Sequence, residues 1–142
     1  MKQKFSTSWK SSKQPRKQRK FRANAPIHIA RKFMAANLSK DLRKKHERRS
    51  FPIKKGDTVK IMRGKFTKKT GKIASVSIKR QRVSIEGMQS KKLDGTSVNV
   101  WFNPSNLQIT DINLDDKKRL NSINKKLKSE NTEETKNAPE KK

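Results

Sequence analysis

Between residues 51 and 111 apolar side chains recur at every second position. Val59 and Ile61 share a face with Arg63, while Lys60 and Met62 lie on the other. Ala74, Val76 and Ile78 alternate with Ser75 and Ser77, and Val83 and Ile85 with Ser84 and Glu86. Val98, Val100 and Phe102 alternate with Asn99 and Trp101, and Leu107 and Ile109 with Gln108 and Thr110. A period of two belongs to strands with one buried face, so the pattern predicts five short strands. Turn signals separate them: Gly64 to Gly71, Lys79 to Arg82, Asp94-Gly95, and Asn103-Pro104-Ser105-Asn106. Closely spaced strands with no long helix between them indicate a small antiparallel barrel, whose closure removes sheet edges. The predicted fold class is mainly β.

On both sides the period changes to that of a helix. Asn24 is a candidate N-cap and Pro26 a first-turn residue. Ile27, Ala30, Phe33, Met34 and Asn37 then follow helical spacing. Ser39 opens a second short helix through Lys45. Neither is long enough to stand alone, so their apolar sides must dock on the barrel or on a partner. Residues 112–128 predict a C-terminal helix with Leu120, Ile123 and Leu127 on one stripe. Asp115 and Asp116 lie in its first turn and Lys125, Lys126 and Lys128 in its last, an order that suits the helix dipole. Residues 1–22 isolate Phe5, Trp9 and Phe21 among polar groups, and residues 129–142 are polar with mixed charge. Both are expected to be disordered alone. The organisation is then a basic arm (1–22), a helical lead-in (23–50), a barrel (51–111), a helix (112–128) and a tail (129–142).

Charge says what such a chain meets. It has 142 residues, 39 Lys+Arg against 12 Asp+Glu, and a formal charge of +27, with only 29% hydrophobic residues. Ordinary domains are about 45–50% apolar, so only part of this chain can pack. Residues 1–50 carry 17 basic and 2 acidic side chains, residues 51–110 carry 13 and 3, and residues 111–142 carry 9 and 7. A self-repelling chain of this kind calls for a polyanion, with nucleic acid first and an anionic membrane surface second. No apolar run approaches the roughly 20 residues of a membrane span. No secretory apolar segment follows the basic start, and there is no Cys. The expectation is a soluble intracellular protein without membrane contact, in which the sequon at Asn37 is meaningless.

Chemistry for catalysis is not legible. His28 and His46 have no partner at metal spacing, and a surface or RNA-facing histidine is the simpler reading. Gly64, Gly71 and Lys72 fail as a phosphate-binding loop: the glycines are too far apart, and Ile73 stands where a magnesium-binding hydroxyl belongs. No catalytic residue, metal, cofactor or small-molecule substrate is expected.

Binding has a stronger signal, because the hairpin tips are basic. The first carries Lys65, Lys68, Lys69 and Lys72, the second Lys79, Arg80 and Arg82, the third Lys91 and Lys92. Loops on a rigid scaffold can hold cations at fixed distances, neutralise phosphates and release counterions. Arg80 and Arg82 can also grip phosphate bidentately or stack on a base. The arm adds Lys13, Arg16, Lys17, Arg19, Lys20 and Arg22; the lead-in adds Arg31, Lys32, Arg43, Lys44, Arg48 and Arg49. An arm that orders on RNA is preferred over a merely solvated tail or a nuclear localisation signal. Trp101 and Phe102 face opposite ways in a strand. One is core and the other packs under the helices or meets a base, and spacing leaves open which.

Residues 53–87 resemble the KOW motif: Ile53-Lys-Lys-Gly56-Asp57-Thr-Val59-Lys-Ile61-Met-Arg-Gly64, Thr70-Gly71-Lys72-Ile73 and Val83-Ser-Ile85-Glu86-Gly87. The motif's glycine corresponds to Gly71, and glycine permits positive φ or close approach. Gly56, Gly64, Gly71 and Gly87 are the candidate structural-turn residues. The motif implies an SH3-like barrel and frequent RNA association. The flanks narrow the resemblance: Ser12 to Lys20, Asn24-Ala-Pro-Ile-His28, Leu38 to Arg43, Arg49-Ser-Phe-Pro-Ile53, Asn103 to Asn106 and Asn113-Leu114-Asp115. Over about residues 11–125 the chain is similar to the large-subunit ribosomal protein L-twenty-four family, L-twenty-six in eukaryotes, in its archaeal and eukaryotic type. That resemblance implies a structural protein of cytoplasmic ribosomes that binds large-subunit ribosomal RNA beside neighbouring large-subunit proteins. It further implies early assembly near the peptide exit tunnel. Family members usually carry a Lys-Gly pair in the first hairpin loop, where this chain has Thr67-Lys68, losing a glycine and gaining charge at the tip. The alternative is a KOW-type regulator binding RNA polymerase or a transcript.

Overall fold

A computed structural model describes residues 5–6 and 12–124. In chain order it contains α1 (Pro15–Asn24), α2 (Ile27–Phe33), β1 (Ala35–Leu38), α3 (Lys40–His46), β2 (Ser50–Pro52), β3 (Thr58–Ile61), β4 (Thr70–Ser77), β5 (Arg82–Lys91), β6 (Ser97–Phe102) and β7 (Leu107–Asp111). A short 3-10 turn, Pro104–Asn106, precedes β7, and residues 117–124 are helical. The strands run in the order β2-β1-β7-β3-β4-β5-β6. All neighbours are antiparallel except β1 and β7, which are parallel with Leu38 opposite Ile109. The fold is mainly β and SH3-like.

The five expected strands are present, and alternation places Val59, Ile61, Val83, Ile85, Leu107 and Ile109 in the core. Two details differ. In β4 the inward residue is Ile73, because the ladder slips between Ile73 and Ser75 and shifts the alternation. In β6 Val98 remains 40% exposed, because the outer part of β5 and β6 pairs only with itself through Gln89–Asn99, Ser90–Val98 and Lys91–Ser97. That ribbon leaves the barrel after a second slip between Ser84 and Gln89. Pairing also does not close the barrel: β2 and β6 stand at the ends of the strand order. β2 is only three residues long and ends in Pro52, a short edge of the kind that resists pairing.

The lead-in departs furthest from expectation. Its first helix begins after Pro26, while Asn24 ends α1. It also stops at Phe33, short of the predicted Asn37. Residues 35–38 instead form β1 between β2 and β7, burying Ala36 and Leu38 while Asn37 points outward. Four residues carry too little periodicity to separate helix from strand, and pairing on both sides decides. Ser39 caps α3 as its sequence indicates, its Oγ accepting from Leu42 N at 3.3 Å. The basic stretch expected to be disordered alone is helical over Pro15–Asn24 and buries none of its residues. Pro15 sits at the first helical position, where its missing N–H costs nothing. Phe21 ties this helix to Phe33 at 6.0 Å and to Phe5 at 4.9 Å between ring centroids.

The C-terminal helix packs by Ile123, which is fully buried, with Leu120 half-buried. Asp116 caps it, Oδ1 accepting from Lys118 N at 2.9 Å and Arg119 N at 3.4 Å. Trp9, residues 125–128 (with Leu127 and the lysines expected in the last turn) and residues 129–142 lie outside the described residues.

Candidate nucleic-acid interface

The β3–β4 loop is held by backbone bonds at its root. Ile61 N donates to Lys69 O and Lys68 N to Ile61 O, both at 2.9 Å, and Thr67 N donates to Gly64 O at 3.0 Å. Closing this loop requires a left-handed residue at position 68, and Lys68 takes it with φ of +68°. The glycine missing from the sequence is thus missing where the backbone wants one. Phe66 plugs the loop onto the core, edge-on to Phe102 at 5.9 Å. Phe102 is therefore the inward member of its pair and Trp101, 38% exposed, the outward one. Lys69 Nζ lies 5.5 Å from the Phe66 ring centroid, a cation–π contact that fixes its direction. Lys65, Lys68, Lys69 and Lys72 are all exposed.

The other two tips are equally accessible. Lys79, Arg80 and Arg82 are exposed around a tight turn in which Gln81 N donates to Ile78 O at 3.2 Å. Lys91 and Lys92 are exposed on the projecting ribbon, beside fully exposed Leu93. Asp94 in this tip accepts from Thr96 Oγ1 at 2.6 Å and Thr96 N at 2.9 Å. Those bonds hold its carboxyl below the usual range, so the third tip carries an anion that partly offsets its lysines.

Lys13, Arg16, Lys17, Arg19, Lys20 and Arg22 are exposed, as are Arg31, Lys32, Lys44 and Arg49. Arg43 and Arg48 are half-buried. Arg43 Nε donates to Leu38 O at 2.9 Å, tying α3 back to β1, and Arg48 Nε is buried without a hydrogen-bond partner. His46, expected on the surface, is instead only 6% exposed. Burial first, then nearby Lys45 and Arg48, push its pKa below the usual value. His28 is exposed. No cluster of potential metal ligands and no helix able to cross a membrane occurs among the described residues.

Gly56, Gly64 and Gly87 have positive φ, +89°, +93° and +73°. Gly71 does not, and sits inside β4. A Cβ there would meet Ile85 Cγ2 at 2.8 Å and Glu86 O at 3.2 Å, so its role is close approach of β4 to β5.

One arrangement escaped the sequence reading. Asp57, fully buried, forms a bidentate pair with Arg119, Nη1–Oδ1 and Nη2–Oδ2 both at 2.6 Å. It also accepts from Lys54 N at 2.8 Å and Asn113 N at 3.1 Å. Arg119 further donates to Asn113 O at 2.9 Å and Pro52 O at 3.1 Å, and lies 5.3 Å from the Phe51 ring centroid. The pair locks the C-terminal helix to the barrel, and so sets the frame on which the loops stand. Its partners are 62 residues apart; the only local hint was a polar Asp57 directly before a run of core positions.

Comparison with known proteins agrees with this architecture. The chain is 46% identical over 116 residues to the protein named "Large ribosomal subunit protein uL24" of Methanosphaera stadtmanae, covering 82% of this chain and 99% of that relative. Proteins of the same name from Methanosarcina barkeri and Methanothrix thermoacetophila are 48% and 49% identical, covering 80% and 76% of this chain and 98% and 93% of theirs. A family model that joins the eukaryotic L26 ribosomal proteins to their archaeal L24 counterparts matches residues 12–126. Spanning the barrel and both flanks, that match makes this chain a member of the ribosomal protein family that comprises eukaryotic L26 and archaeal L24.

Proposed function

We propose that this chain is a structural, non-catalytic component of the large ribosomal subunit that binds large-subunit ribosomal RNA through two elements of different rigidity. The observation that carries the reading is the exposure of Lys65, Lys68, Lys69, Lys79, Arg80 and Arg82 on loops rooted in a packed barrel. Such loops present cations at fixed spacing, so docking costs little ordering entropy. The α1 arm presents Arg16, Lys17, Arg19, Lys20 and Arg22, has no buried residue and touches the rest of the chain through Phe21, so it gains most of its packing against RNA. The family resemblance extends the reading to early subunit assembly, a position near the peptide exit tunnel, contact with neighbouring large-subunit proteins and residence in cytoplasmic ribosomes. A KOW-type transcription regulator is less well supported, because relatives matched along nearly their whole length carry a ribosomal name.

With roughly six to ten phosphate contacts, affinity for large-subunit RNA should fall about 10³–10⁵-fold between 50 and 200 mM salt. A flat salt dependence would contradict the electrostatic mechanism. Replacing Lys68 and Lys69 by Ala should weaken binding and leave the thermal melt in place. Co-sedimentation with large subunits through a moderate salt wash separates the ribosomal reading from the regulatory one.

A further inference from the structure

Away from the hairpin tips, α2, β2, β4 and the C-terminal helix enclose a cleft of about 730 Å³, within the size range of small-ligand sites. Its floor is apolar, lined by Met34, Phe51, Ile53, Val76 and Ile78. Four cations stand around it: Arg31, Lys54, Lys55 and Lys118. The one acid there, Asp116, is already engaged by Lys54 Nζ at 3.0 Å and by the helix N–H groups it caps. Arg119 also lines the cleft, but its charge is cancelled by Asp57. Arg31, Lys55 and Lys118 are thus exposed, with no acidic partner among the described residues.

We propose that this cleft receives one unpaired nucleotide of the bound RNA, its base on the apolar floor and its phosphates on the cationic rim. Unstacked bases are the part of RNA that proteins take into pockets, and they bring a flat apolar body joined to fixed negative charge. The Ser122 side chain at the mouth and the Ser75 hydroxyl, which shares a 2.7 Å bond with Ser84, offer hydrogen bonds to a base edge. An acidic peptide would satisfy the rim as well. RNA is favoured because the arm leading into Arg31 carries the same positive charge, so a strand on the arm continues to the cleft. The inference rests on the RNA-binding reading and adds a site to it.

Three measurements on the full chain test it. Titration with each of the four nucleoside 5′-monophosphates should shift the backbone amide resonances of Ile53, Val76 and Ile78, whereas inorganic phosphate should move only rim residues such as Lys55 and Lys118. Floor amides silent to all four nucleotides would overturn the site. Ser122→Trp, at an exposed position, should fill the mouth and weaken binding to large-subunit RNA roughly tenfold, with an unchanged slope of affinity against salt. Unchanged affinity in this variant, beside normal wild-type binding, overturns the cleft alone; absent wild-type binding overturns the functional reading itself. Ultraviolet crosslinking in assembled particles should join residues 51–55 or 74–78 to RNA, and a crosslink to a protein instead would refute the choice of RNA.

Discussion

Replacing Asp57 by Asn removes one charge at nearly constant shape. The carboxylate accepts four N–H groups, from Arg119 Nη1 and Nη2, Lys54 N and Asn113 N, and has no exposed surface. An amide offers one acceptor oxygen and turns an NH2 toward donors that need acceptors. Arg119, a residue only 8% exposed, keeps its charge without a counterion. Leaving one member of a buried pair unpaired costs about 3–5 kcal/mol. Total stability of a domain is about 5–15 kcal/mol, so this is a large share. At about 4–8 °C per kcal/mol for a domain of this size, the melting temperature should fall by at least about 12 °C. Thermal melts followed by far-UV circular dichroism, without RNA, measure it. Because the pair is shielded, the loss should persist at high salt. Asp57→Asn combined with Arg119→Met should recover part of the loss, since no lone charge remains. A shift under about 4 °C, or a double variant worse than the sum of the single ones, would refute the assignment of this pair as the lock between helix and barrel.

Lys68→Gly should stabilise the barrel by about 0.5–1 kcal/mol, because relief of a left-handed backbone exceeds the added chain entropy; denaturant titration reads it, and a destabilised protein would show that the loop does not hold Lys68 at positive φ. Gly71→Ala should cost about 1–3 kcal/mol, since its Cβ meets Ile85 and Glu86 O across the β4–β5 approach; an unchanged melt would contradict that contact. His46 has a folded-state pKa lowered from 6.5. The neutral ring is the form the fold prefers, so its contribution is complete above about 6.5 and is lost as pH falls toward the folded value. His46→Gln should flatten the pH dependence of the melting temperature in that window, and an identical profile would remove His46 from the acid response.

Legibility followed the range of the interactions. The alternation around Val59, Val83 and Leu107 marks the barrel because each strand carries its own buried face, and the basic tips follow from the turns between them. Ser39 announced its helix because a cap acts on N–H groups within one turn. β1 was hidden, since Ala35 to Leu38 becomes a strand only by pairing with residues 50–52 and 108–109. The slip at Ile73–Ser75 moved the inward face of β4 by one position, which no local pattern records. His46 looked like a surface group among lysines until the fold covered it.

At the candidate interface the sequence alone determined sign and rough placement: an excess of 27 positive charges, densest on the arm and in the hairpin turns. Charge and local turn chemistry are properties of neighbours in the chain, so they survive without coordinates. Which cations are exposed and which serve the fold depends on packing between distant segments. Arg119 is taken by Asp57 from 62 residues away and Arg43 by the Leu38 carbonyl, while Lys65, Lys68 and Arg80 remain exposed. Arg31, Lys55 and Lys118 come from three distant segments and meet only because β2, β4 and the C-terminal helix pack around one cleft. Burial and long-range pairing are collective outcomes of that packing, and no stretch of the chain encodes them alone.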